Sequence, residues 1–181
     1  HQLLRQPEAA QQQWQRLQAL SAQNTAAARL SRLLGAELLG ARGQYAQVVQ
    51  ALQPSSMTAR WPRPELVGTA QALAHLPGHP AVDTVVGQLR QQVQNTPADA
   101  QAWNLLATLL AGQGQKLPSL RAEGEAQLAR MDLQGALDRF SAAQDAARQG
   151  KLQPGDHIEA SIVDTRVRQI QAQLREMQKE R

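Results

Sequence analysis

Cysteine is missing altogether from the 181 residues. That excludes disulfides, thiolate zinc sites and cysteine nucleophiles, and it is compatible with either cytoplasm or periplasm. Aromatic residues are only 3% of the chain: one Phe, one Tyr and three Trp. The apolar content therefore rests on Ala and Leu. This favours helices over sheets, because strands use β-branched and aromatic residues. Charged residues make up 19%, below the roughly 25% of an average domain. No apolar run approaches the ~18 residues that a membrane span needs, and no signal peptide is visible. The chain opens at His1 without Met, directly in helix-like sequence. The expectation is a fragment or a processed product, from which a targeting signal could have been lost.

What is present is glutamine, about one residue in six and a good helix former. Net charge is +4 and the sequence pI about 10.3, which raises the question of nucleic acid. An electrostatic footprint needs clustered basic residues. Here the densest group, Arg166, Arg168, Arg175, Lys179 and Arg181, alternates with Asp164, Glu176 and Glu180. It reads as a solvated helix face, and no nucleic-acid partner is expected.

Periodicity predicts nine helices and an all-α fold. The first runs from Pro7 to Leu20, with proline at a start position where its missing N–H costs nothing. The second, Thr25 to Arg42, carries Leu30, Leu33, Leu34 and Leu38 as a core-facing stripe. Gly43 breaks it, and Tyr45 opens a third helix that ends before Pro54. A Ser/Pro-rich stretch at 54–64 (Pro54, Ser55, Ser56, then Trp61-Pro62-Arg63-Pro64) is the candidate flexible joint. Helices four to eight are expected at Pro64–His75, Ala81–Gln94, Ala98–Gly112, Leu117–Arg130 and Leu133–Gln149. The ninth opens with Asp156 and Glu159 as a D-x-x-E capping pattern. It presents Val163, Val167, Ile170, Leu174 and Met177 as one apolar stripe, which suits a cap on a stack of helices. A coiled-coil dimer seam is the sharper reading of the same stripe, although only two heptads are apolar.

Near the C-terminal end, Gly124, Met131-Asp132-Leu133, Ala136, Phe140 and Ala143 form a helix-pair signature. Small residues at Gly124 and Ala136 let two antiparallel helices approach, and Phe140 fills the gap to the next hairpin. These offsets resemble a tetratricopeptide repeat, whose period is about 34 residues. Pro97, Trp103, Leu106, Ala107, Leu110 and Gly114 fall at the matching positions of the preceding repeat, and Gly43-x-Tyr45 marks an earlier one that begins near Arg29. Trp103 and Leu120 hold equivalent positions yet are 17 residues apart, half a period. Helix seven is thus expected to close one hairpin and open the next. The expectation is a single tetratricopeptide-like solenoid over 1–181 with a long C-terminal capping helix.

Catalytic inventories fail. His75-Leu76-Pro77-Gly78-His79 has zincin spacing, but Pro77-Gly78 breaks the helix and no Glu intervenes. His157, beside Asp156 and Glu159, reads as the surface of a first helical turn. No phosphate loop and no G-x-S-x-G elbow occurs. No catalytic or metal-binding residue and no cofactor is therefore assigned in this chain. Binding remains. Tetratricopeptide grooves meet ligands at positions 2, 5, 9 and 12 of each repeat. Carried onto this register, these are Gln101, Asn104 and Thr108 in helix six, and Arg121, Glu125 and Leu128 in helix seven. The upstream repeat presents Val67, Ala70 and Ala74. Such a groove suits an extended or helical peptide. The pattern that clamps a C-terminal carboxylate in chaperone co-factors is missing, since Glu37, Ala74 and Glu125 stand at its positions.

The run WNLLATLLAGQGQKLPSLRAEGEAQLARMDLQGALDRFSAAQDAA, followed after a loop by GDHIEASIVDTRVRQIQ, resembles one family in particular. It is similar to the C-terminal repeat domain of bacterial periplasmic zinc metalloproteases of the beta-barrel assembly-enhancing type. The matching residues are Trp103, Leu105, Leu106, Ala107, Gly114, Arg121, Ala122, Glu123, Asp132, Ala136, Leu137, Glu159, Ala160, Ile162 and Arg166. Met131 replaces the usual Gly, and Gly124 the usual Ala. The resemblance implies a periplasmic docking or substrate-recognition arm, with zinc and HExxH confined to an upstream domain. It also implies, as partners, the outer-membrane barrel assembly machinery or unfolded barrel proteins. The alternatives are a stand-alone tetratricopeptide adaptor and, from the pI alone, an RNA-binding solenoid.

Overall fold

Short-range signals set the helix ends. Asn24, Asp99 and Asp132 each accept a hydrogen bond from the backbone N–H three residues on (Ala27, Ala102 and Gly135, at 2.9–3.1 Å) and so cap the helices that follow. The computed structural model describes residues 7–21, 23–54, 60–150 and 155–179. Among them it holds nine helices and no strand: α1 (Pro7–Ser21), α2 (Thr25–Ala41), α3 (Tyr45–Leu52), α4 (Arg63–Leu73), α5 (Val82–Asn95), α6 (Ala100–Gly112), α7 (Lys116–Leu128), α8 (Leu133–Gln149) and α9 (Asp156–Lys179). The order and type of the elements match the periodicity, and their ends agree to within about two residues, the usual uncertainty of helix ends.

Three turns share one hydrogen-bond pattern. Gly43, Gly114 and Met131 adopt positive φ of 72°, 72° and 63°. The next residue in each case donates five back along the chain: Gln44 to Leu39, Gln115 to Leu110 and Asp132 to Gln127, all at 3.0 Å. This is the Schellman closure of a helix C-terminus. Glycine adopts it without strain, whereas Met131 holds its Cβ against the backbone.

The chain divides into two compact units, His1–Val85 and Val86–Arg181, with the division inside α5. In the first unit α1 packs on α2, α2 on α3 and α3 on α4. Val48, Val49, Leu52, Trp61, Leu66, Ala70 and Leu73 are buried. The leucine stripe expected to face this core is only half covered, with Leu33 and Leu38 half-buried. Leu30 is 67% exposed and Leu34 lies at the surface, while Ser31, Gly35 and Ala36 are buried. The cause is Trp14. Its Nε1 donates to the Ser31 carbonyl at 2.8 Å, and a Cβ on Gly35 would lie 2.5 Å from its ring. The indole packs on the small face of α2, and Leu30 and Leu34 are left at the surface. Of the expected joint at 54–64, residues 55–59 lie outside the described residues. Trp61, within that stretch, is buried in the core.

In the second unit α6 packs on α7 and α7 on α8, while α9 lies against both α8 and α7. From α6 to α9 each helix meets its successor in the chain, a solenoid-like order. The core joins Leu117, Ala136, Phe140 and Ala143 to Val163, Val167 and Ile170 of α9. The α9 stripe is thus buried on the chain's own helices rather than held out as a dimer seam. Only Met177, 49% exposed, remains open. The expected capping pair differs too. Asp156 is the first helical residue, behind Gly155 at φ 95°, and Glu159 turns its carboxylate to Arg121.

Candidate peptide-binding groove

One buried hydrogen bond ties α6 to α7, and a part-buried one ties α6 to the turn before it. Ser119 Oγ donates to the Ala107 carbonyl at 2.9 Å, and Trp103 Nε1 donates to the Pro97 carbonyl at 2.9 Å. Both ends of α6 are capped, and its outer face lines an open surface. That face carries Asn104, Thr108 and Ala111. Together with Glu123 and Gln127 of α7 and Arg139 of α8 it lines an open groove of ≈ 570 Å³. This volume lies within the range of ligand sites, roughly 300–1,000 Å³.

The groove mixes charge and hydrogen-bonding capacity. Arg139 Nη1 stands 3.4 Å from Glu123 Oε2, and both side chains are substantially exposed. Such a pair opens at little cost, because exposed ion pairs contribute about 0–1 kcal/mol. Thr108 Oγ1 donates back to the Asn104 carbonyl at 2.9 Å. The Asn104 side-chain amide makes no hydrogen bond among the described residues and is free to meet a ligand's backbone. Ala107 and Ala111 leave room for a main chain to approach.

Of the six groove residues expected from the register, the structure brings Asn104 and Thr108 into the groove. Gln101 is exposed one turn earlier on α6, outside it. The three α7 residues lie elsewhere. Glu125 is 6% exposed and accepts from Arg166 Nε at 2.8 Å. Leu128 packs on the core of the second unit. Arg121 places its guanidinium 5.6 Å from the Trp103 ring centroid and its Nε 3.0 Å from Glu159 Oε2. The expected stripe is rotated by two residues, about 200° on a helix of 3.6 residues per turn. Because α9 covers the Arg121/Glu125 side, the open side is Glu123/Gln127. Gly124 held the clue: it marks the face toward α8, and the residue before it and the one three beyond it flank that face.

The histidines expected to sit in a turn do so. His75 stacks on Tyr45, with centroids 4.1 Å apart, and His79 Nδ1 accepts from the Ala81 N–H at 3.1 Å. No group of three or more His, Asp or Glu among the described residues could hold a metal ion. No protein-family model matches the chain, and no curated protein matches it.

Proposed function

We propose that this chain is a non-catalytic binding module that holds an extended segment of a partner protein in the α6–α8 groove. The carrying observation is the free Asn104 amide beside an openable Glu123–Arg139 pair on a capped, packed hairpin. An extended peptide presents alternating N–H and C=O groups. An amide side chain meets one of each, and the ion pair supplies one group of either sign. The test is binding of a fluorescent library of unstructured peptides, read by anisotropy. Asn104→Ala and Gln127→Ala should each weaken binding, with Tm unchanged. Binding that neither substitution alters would sink this reading.

The Trp103–Arg166 resemblance supports a finer proposal. The module is the docking or substrate-recognition arm of a periplasmic zinc metalloprotease that acts in outer-membrane protein quality control. Intact mass and zinc content of the endogenous protein decide it. A product much heavier than 19.7 kDa with about one zinc per chain agrees with a protease arm. A metal-free product of this size points to the stand-alone adaptor.

A further inference from the structure

A second cleft, distinct from the groove, opens where α5, α6, α7 and α9 meet within the second unit. It has a volume of ≈ 240 Å³ and is walled by Trp103, Leu106, Leu110 and Ile162, with Arg121 inside and Arg90 contributing to the lining. That is below the roughly 300–1,000 Å³ of small-molecule sites and suits a single residue. Arg90 is exposed and forms no ion pair among the described residues.

The interior is polarised. Arg121 lies over the Trp103 ring, which orients the guanidinium as a cation over a π-face. Its Nε is buried and stands 3.0 Å from Glu159 Oε2, yet neither atom completes a well-aligned hydrogen bond. Planar guanidinium–carboxylate pairs prefer a parallel fork, so this contact is an ion pair of poor geometry. Glu159 thus occupies an anion position that a better-placed carboxylate could take. With two guanidiniums and one carboxylate, the cleft is one negative charge short.

We propose that this cleft receives the C-terminal residue of a partner peptide. The terminal carboxylate binds between Arg90 and Arg121, and an aliphatic side chain lies against Trp103, Leu106 and Ile162. Glu159 is the internal competitor that the ligand displaces from Arg121. The charge balance and the single-residue volume select a chain terminus over an internal segment, which has no carboxylate at its backbone.

The experiment uses the whole chain and a fluorescein-labelled Ala-Ala-Ala-Leu peptide in two forms, free acid and C-terminal amide. Anisotropy reads binding, and tryptophan fluorescence, to which Trp103 contributes beside Trp14 and Trp61, reports occupancy. The free acid should bind about tenfold or more tightly than the amide, the scale of charge-assisted hydrogen bonds. Arg90→Gln, at an exposed position, should weaken the acid and leave the amide unchanged. Glu159→Gln should strengthen binding of the acid, an effect that a purely structural Arg121–Glu159 contact would not produce. Equal affinity for acid and amide, or no binding by either, overturns the proposal. So does N-acetyl-leucine binding as tightly as the tetrapeptide, which would make the ligand a small carboxylate. Asn104→Ala should leave binding of this probe unaltered, which separates failure here from failure of the α6–α8 groove.

Discussion

The Phe140 ring occupies the space that a side chain at residue 124 would need: a Cβ on Gly124 would stand 2.7 Å from Phe140 Cε1 and Cζ. Phe140 is fully buried between α7, its own helix and the α9 residues Val163, Val167 and Ile170. Glycine on one helix and phenylalanine on the next are thus one packing unit. Phe140→Ala should destabilise the protein by roughly 3–5 kcal/mol, the cost of an aromatic cavity. Gly124→Ala should cost about 1–3 kcal/mol through overpacking. In the double variant the added methyl enters the vacated space, so the combined loss should fall short of the sum of the two. Chemical denaturation of the four proteins measures this, and strict additivity would show that the two sites do not share the space.

Met131 gives a prediction of the opposite sign. It is the non-glycine residue of the three Schellman turns, at φ 63°, and its side chain is 85% exposed. A left-handed L-residue carries about 1–2 kcal/mol of strain, offset in part by the freedom that glycine gains on unfolding. Met131→Gly should therefore stabilise the protein by about 0.5–1 kcal/mol, seen as a higher Tm. Gly114→Met, the reciprocal change, should lower it.

Glu125 and Arg166 are joined at 2.8 Å, but their surroundings differ: the Glu125 side chain is 8% exposed and that of Arg166 is 40%. Removing the arginine leaves a carboxylate buried without its cation. Arg166→Ala should cost about 1–3 kcal/mol, less than for a fully buried pair because water reaches the guanidinium. Adding Glu125→Gln to that variant should recover part of the loss. A second variant no more stable than Arg166→Ala alone would show that charge burial is not the cause.

In the first unit, Arg29 donates from Nε to Glu65 Oε1 at 2.5 Å and from Nη2 to Oε2 at 2.8 Å. This two-pronged hydrogen bond holds the Glu65 carboxyl below its ordinary 4.5, against the opposing effect of its burial. The folded state therefore binds that proton less readily than the unfolded chain. The stabilisation is fully present above the unfolded value and is lost as pH falls through the depressed folded one. Stability at pH 6 should exceed that at pH 3, and Arg29→Gln should shrink the difference. An Arg29→Gln protein with an unaltered pH dependence would assign it to other carboxylates.

Much of the fold was legible because its signals are local. The helix-start proline Pro7, the turn glycines Gly43 and Gly114, and the 3.6-residue spacing of apolar positions each act within one or two turns. Gly124, Ala136 and Phe140 could be read as a packing set because close helix approach demands small residues opposite a large one. Faces were less legible. On α2 leucines recur at helical spacing, so the stripe pointed inward, whereas Trp14 packs on Ser31 and Gly35. On α7 both sides of the helix carry charged residues, so sequence alone could not say which side was covered.

The sequence by itself determined where helices begin and end, that they are nine among the described residues, and that Gly124 faces Phe140. Those properties depend on backbone hydrogen bonding and steric limits between near neighbours. The tertiary structure alone decided that Arg121 and Glu125 serve ion pairs with α9 and that Glu123 and Gln127 face the groove. The outcome turns on which neighbouring helix lies over each side of α7. That depends on contacts some forty residues apart, such as Glu125 with Arg166, whose pairing no local periodicity encodes.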